Sequence, residues 1–302
     1  MADDVLRLDL ALQGGGSHGA FTWGVLDQLL EQPWLEIEAV SGTSAGAMNA
    51  CVMADGLAAG GREGAREHLE AFWRRVAGAA AFSPLRRGPL DVLNGRWTLD
   101  YSPLYLAMDL AARVFSPYDL NPAGGNPLSA ILEESVCFER LTGGPVQLFI
   151  TATNVLTGRG RVFRNPEITV DVLLASACLP TLYQAVEIDG EPYWDGGYSG
   201  NPTMTPLVRE CISQDIVLVQ INPIRRDRLP RTAREIHNRI NEVSFNATLL
   251  KELRMLALLH DEVASGAGEP EGGRRRASTA SPATASPRSA PRPSSTPNGP
   301  SC

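Results

Sequence analysis

The early part of the chain alternates between short continuous apolar runs and apolar stripes of helical period, with glycines between them. Arg7 to Leu12 is a leucine-rich run that predicts a short strand, buried if it is central. Gly14-Gly15-Gly16 interrupts it. From Ser17 to about Leu30, Phe21, Val25 and Leu29 recur at i, i+4 and i+8, which predicts a helix with those residues on one face. Ile37 to Val40 reads as a second strand, and Ala45 to about Ala54 as a helix of small residues. Strand, glycine turn and helix, given twice, define an α/β chain with a mostly parallel sheet covered by helices.

Further along, Val146 to Thr153 predicts a strand and Thr157-Gly158-Arg159-Gly160 a hairpin turn. Asp171 to Cys178 predicts a helix ended by Pro180, Asp189-Gly190 a second hairpin, and Asp215 to Ile221 a buried strand. Residues 232–263 carry helical periodicity through Ile236, Ile240, Val243, Ala247 and Leu250. Residues 83–127 are less regular and hold Trp97, Tyr101, Tyr105, Phe115 and Tyr118. Two readings fit them: a lid or lipid-facing insertion, and an irregular surface packed by its own aromatics, which is the plainer account. From Ser265 to Cys302 there is no Val, Leu, Ile or aromatic residue. Such a segment cannot bury enough apolar surface to offset its ordering entropy, so disorder is expected. The expected organisation is one α/β domain over residues 1–264 and a Ser/Pro/Ala/Arg-rich tail over 265–302.

Composition narrows the function. A formal net charge of −7 over 302 residues argues against a general nucleic-acid binder, which carries a basic footprint. Lys251 is the only lysine. Arginine favours bidentate phosphate contacts, although a GC-rich coding sequence explains that preference more simply. The five cysteines, Cys51, Cys137, Cys178, Cys211 and Cys302, are scattered, and none lies at metal-ligand spacing with a histidine. That pattern suits a reducing compartment. The acidic start, Met1-Ala2-Asp3-Asp4-Val5, lacks the features of a signal peptide, and no run of 18 apolar residues occurs. A cytoplasmic protein without metal or cofactor is expected.

Three motifs carry chemistry. Gly42-Thr43-Ser44-Ala45-Gly46 is a G-x-S-x-G between a predicted strand and helix. A sharp strand-to-helix turn presents the serine hydroxyl, and the flanking glycines avoid the collisions that side chains would make there. Gly14-Gly15-Gly16-Ser17-His18-Gly19 follows a strand and opens a helix, so its amides form an anion site. It can serve as an oxyanion hole, or as a G-x-G-x-x-G dinucleotide loop. The dinucleotide fingerprint wants an acidic residue closing the second strand, whereas Glu36 and Glu38 open it. Asp195-Gly196-Gly197 places a carboxylate on a tight turn, which on its own is a common turn feature.

Together and in this order, the three motifs resemble the patatin-like phospholipase family from about Leu8 to Pro206. Asn201-Pro202 and Ala175-Ser176-Ala177-Cys178-Leu179-Pro180 resemble further segments of that family, while His18 stands where the family usually has Arg or Lys. The resemblance implies a three-layer α/β/α fold and a Ser44–Asp195 dyad hydrolysing acyl esters of lipids through an acyl-enzyme. It implies an oxyanion hole at Gly14, Gly15 and Gly16, with Gly19, Gly42, Gly46, Gly196 and Gly197 as motif glycines. The expected partner is a lipid or acyl-ester substrate, met in solution or at a membrane surface, and not nucleic acid.

The histidines are His18, His68, His237 and His260. A triad of α/β-hydrolase order needs a histidine after the acid, so His237 and His260 are the formal candidates. Both lie in the predicted C-terminal helix rather than in a loop, and a surface position accounts for them better. Two other classes remain open: a nucleotide- or phosphate-binding module built on Gly14–Gly19, and a catalytically idle interaction protein.

Overall fold

The computed structural model describes residues 5–82 and 115–264. The aromatic insertion at Trp97, Tyr101 and Tyr105 and the tail from Ser265 lie outside the described residues. The compact unit runs to Leu253. A second unit starts at Arg254, and its described part, to Ala264, is helical.

Four strands form a parallel core. β1 (Leu6–Leu12) lies between β2 (Leu35–Gly42) and β7 (Ile216–Val219), and β2 continues the sheet to β3 (Gln147–Asn154). The other three strands are antiparallel to their neighbours: β4 (Gly160–Arg164) and β6 (Glu191–Asp195) pair with β3, and β5 (Val186–Ile188) pairs with β6. The registers locate these strands on β3. Phe149 and Ile150 pair with both β2 and β4, so those two strands occupy opposite edges. Ala152 and Thr153 pair with both β4 and β6, which puts β6 on the same edge as β2. Gly42, the last residue of β2, faces Ile150, and Asp195, the last of β6, faces Ala152. β6 therefore meets β2 end to end along one edge of β3.

Helices flank this mixed, mostly parallel sheet. They are α1 (Gly19–Leu30), α2 (Ala45–Phe82), α3 (Pro117–Leu120), α4 (Leu128–Ser135), α5 (Phe138–Thr142), α6 (Val170–Ser176), α7 (Thr205–Glu210) and α8 (Ala233–Ala264). The expected small-residue helix runs much further than Ala54. It breaks at Gly60 and Gly61, where Gly61 takes φ +63, and then folds back on itself. Trp73 Nε1 donates to Asn49 Oδ1 at 2.9 Å across this helical hairpin. Alanines and other small residues from Ala45 to Ala54 let the first arm lie buried almost all round. The core joins Leu10, Leu12, Leu26, Val40, Met53 and Leu148.

The expected burial of β7 needs correction, and tertiary contacts set which faces of α1 and α8 turn inward; on α1, Val25 and Leu29 are partly buried against the core. In α1 the inward positions are Thr22, Leu26 and Leu30, while Phe21 is 61% exposed. Gly19 sets this phase, because it sits directly against Ala45 and Trp73. β7 is an edge strand, and of its residues only Val219 is fully buried. On α8 the periodic Ile236, Ile240 and Val243 are exposed; Asn246 and Leu249 turn inward instead.

Candidate active site

The three motifs converge at the carboxyl ends of β1 and β2. Ser44 has φ +54, a conformation that non-glycine residues rarely adopt. Its backbone is held in place by neighbours. The Ser44 amide donates to Ser176 Oγ at 2.9 Å, and Ser176 Oγ in turn donates to Thr151 O at 2.7 Å. The Gly46 amide donates to Thr43 O, and the Thr43 hydroxyl donates to Gly200 O. Gly42 closes β2. Gly46 passes so near β1 that a Cβ there would lie 2.2 Å from Leu12 O. The turn is the strained strand-to-helix elbow expected of G-x-S-x-G.

The glycine loop lies against this elbow. A Cβ on Gly14 would sit 2.8 Å from Ser44 Cβ and 2.7 Å from Thr43 O. The Gly14 amide donates to Asn201 Oδ1 at 2.7 Å, so it is already engaged. The amides of Gly15 and Gly16 have no acceptor among the described residues. Gln13 anchors the loop from behind. Its Oε1 accepts from the amides of Ile221 and Asn222, and its Nε2 donates to Asn246 Oδ1 at 2.8 Å. Glu36 and Glu38 lie beside the start of β1, at the far end of the strands from this loop. Glu36 pairs with Arg7, and Glu38 accepts from the amides of Ile212 and Ser213. The acidic residue that a dinucleotide loop requires is therefore not at this site.

Asp195 reaches Ser44 because β6 ends where β2 leaves β3. Its carboxyl is 1% exposed and accepts from the Gly197 amide at 2.7 Å. Burial pushes its pKa up from 3.8 to about 7, while hydrogen bonding from Gly197 and from the Ser44 side chain pulls the other way. Gly196 and Gly197 form the buried turn that follows, packed against Thr151 and Phe245.

The histidines are occupied elsewhere. His68 Nδ1 lies 3.1 Å from the buried Asp55 carboxylate, which Arg140 also pairs. His18 Nδ1 is 3.2 Å from Gly15 O, and His237 and His260 are exposed on α8. Among the described residues no group of three or more His, Cys, Asp or Glu is placed to hold a metal ion. Ser176, Gln13 and Asn246 were not singled out from sequence as parts of the site. Only the likeness of Ala175–Pro180 and Asn201-Pro202 to family segments hinted at Ser176 and Asn201.

A strained serine, a glycine loop and a buried carboxyl thus come together at the ends of the sheet strands. The chain belongs to the patatin-like phospholipase family, whose family model matches residues 10–208, and this bears out the resemblance seen in the motifs. The family is one of lipid hydrolases. The chain is 27% identical over 198 residues to the uncharacterized protein YjjU of Escherichia coli strain K12, covering 64% of this chain and 46% of that protein. It thus spans less than half the length of that relative. Among solved structures it is similar to VipD from Legionella pneumophila, with TM-score 0.38, 18% identity, and 70% and 49% of the two chains covered. It is also similar to the ExoU–SpcU complex of the Pseudomonas aeruginosa type III secretion system, with TM-score 0.26, 20% identity, and 55% and 34% covered.

Proposed function

We propose that the chain is a serine acyl-ester hydrolase acting on lipids, with Ser44 as nucleophile and Asp195 as its base. One observation carries this reading. A serine in a strained turn stands beside a buried carboxyl whose pKa burial raises to about 7, matched to proton transfer at neutral pH.

Ser44 Oγ attacks the ester carbonyl carbon as its proton passes to Asp195. The amides of Gly15 and Gly16 hold the developing oxyanion, while Gly14, engaged by Asn201, fixes the loop. Collapse of the tetrahedral adduct breaks the ester C–O bond, and the leaving alcohol takes the proton from Asp195. Water then attacks the acyl-enzyme with Asp195 again as base, which releases the fatty acid and restores Ser44. No histidine takes part. The buried free thiols Cys51, Cys137 and Cys178 support action in a reducing compartment, the cytoplasm. Among the described residues no helix is long and apolar enough to cross a membrane.

The test is labelling with a fluorophosphonate, mass mapping of the adduct, and assay against soluble and lipid acyl esters. The expected adduct is on Ser44, and Ser44→Ala should fold normally yet keep less than about one per cent of kcat/KM, a loss of about 3 kcal/mol. An adduct on another residue, or substantial activity in Ser44→Ala, refutes the assignment.

A further inference from the structure

The loop after β7 and the first turns of α8 are chemically unlike the rest of the chain. Residues 223–243 contain six arginines against three carboxylates, in a chain of net charge −7. Arg226 and Arg239 are both paired with Glu242, and Arg239 also donates to Pro223 O and Ile224 O. This clamp holds the loop on α8. Arg225, Arg228 and Arg231 are exposed and have no carboxylate partner among the described residues. A pocket of about 480 Å³ opens between the clamp and Arg225 and Arg228, with Asp227 and Glu235 also on its wall.

Apolar side chains are exposed on the same segment. Leu229, at the loop tip, lines the pocket with the arginines and is 78% exposed, and Ile224 is also exposed. Ile236, Ile240 and Val243 follow at i, i+4 and i+7 along one exposed face of α8. This stripe lies about a quarter turn round the helix from the pocket-lining Glu235, Arg239 and Glu242. The surface adjoins the candidate active site. Ile221 lies against Gly15, Asn222 Nδ2 donates to Gly14 O, and Phe245 packs on Gly197 and on the Tyr198 ring at 5.3 Å.

We infer that residues 223–243 dock the protein on an anionic phospholipid bilayer. Unpaired guanidiniums take lipid phosphates in bidentate fashion, and Leu229 with the α8 stripe enters the interfacial layer. Docking there sets the glycine loop and Ser44 beside the lipid surface. A nucleic acid would use the arginines but leave the apolar stripe unpartnered. A second copy of the chain docked on this same face would bring like arginines together. The inference rests on the lipid-hydrolase reading for its purpose, but the binding is measured apart from catalysis.

The test sediments the full chain with vesicles of phosphatidylcholine alone or with phosphatidylglycerol, and assays a soluble short-chain ester in parallel. The wild type should bind the phosphatidylglycerol vesicles, release them at high salt, and bind phosphatidylcholine weakly. Arg225→Gln with Arg228→Gln should weaken binding about thirtyfold, at the usual contribution of each basic residue near such a surface. Leu229→Ser should weaken it further, and soluble-ester hydrolysis should be unchanged in both variants. Equal binding to both vesicle types, or unaltered binding by the variants, overturns the inference. So does a concentration-dependent dimer that Leu229→Ser abolishes, because the face then belongs to a second copy. If the wild type binds vesicles as expected but hydrolyses no ester, the docking stands and the hydrolase reading fails.

Discussion

The hydroxyl of Ser176 accepts from the Ser44 amide and donates to Thr151 O, so one small side chain ties the strained elbow to the middle of β3. Ser176→Ala leaves a buried N–H and a buried C=O without partners, and no water-sized gap need open to replace the lost hydroxyl. The expected loss is about 1–3 kcal/mol of stability, read from urea unfolding. A fall in kcat greater than the change in KM should accompany it, because Ser44 loses part of its support. Unchanged stability together with unchanged kcat would show that the elbow stands without Ser176.

Asp195 ties stability to pH. Its pKa is about 7 in the folded chain against 3.8 when exposed, so the folded state keeps a proton that the unfolded state has released. Stability from this group is complete below about pH 4 and is lost as pH rises through about 7. Asp195→Asn keeps an acceptor for the Gly197 amide and removes the titration. It should therefore stabilise the protein by on the order of 3–4 kcal/mol at about pH 8, and by little at about pH 4. Thermal melts across that range decide it. Hydrolysis by the wild type should rise through pH 7 as the carboxyl ionises, and Asp195→Asn should lose nearly all of it.

A dyad makes the histidines dispensable. Replacing His68, His237 and His260 together by Gln should leave kcat/KM within a few fold of wild type, since His68 serves Asp55 and the other two are exposed. A variant that folds normally but is inactive would move the assignment to a histidine-dependent triad. His18 is best changed separately, because it touches the glycine loop through Gly15 O.

Two glycines should respond in opposite ways. A Cβ on Gly46 would sit 2.2 Å from Leu12 O, so Gly46→Ala should destabilise the fold by about 1–3 kcal/mol or more and abolish activity. Gly24, within α1, has nothing within 4 Å of such a Cβ. Gly24→Ala should stabilise the chain by about 0.5–1 kcal/mol through helix propensity. Paired denaturant melts compare them directly.

The site was legible where the backbone itself dictates the residue. Glycine at 14, 42 and 46 follows from close approaches that other residues would obstruct, so the motifs spelled the geometry around Ser44. Asp195 was legible only through its motif, because its nearness to Ser44 depends on strand pairing across a long stretch of sequence. Ser176, Gln13 and Asn246 act through single hydrogen bonds between distant segments, and no local period announces such contacts. Periodicity found the helices, but tertiary contacts decide which positions turn fully inward. Phe21 and Ile236 fit an apolar stripe by spacing, yet Gly19 on Ala45 and Asn246 on Gln13 set the rotation of each helix. The hairpin at Asp189-Gly190 was legible because both residues need positive φ, at +54 and +79.

The end-to-end meeting of β2 and β6 makes β3 a ruler. Gly42, two residues before Ser44, and Asp195 are each registered against that one strand, at Ile150 and Ala152, and two residues of strand rise, about 6.6 Å, fix how their segments meet. Their separation is thus independent of the length of chain running between them. Loops from 155 to 159 and from 177 to 185 can lengthen or shorten without changing the reach from Asp195 to Ser44. A single residue inserted at Thr151 cannot be absorbed in that way, since it moves the two marks apart and turns alternate side chains of β3 to the opposite face.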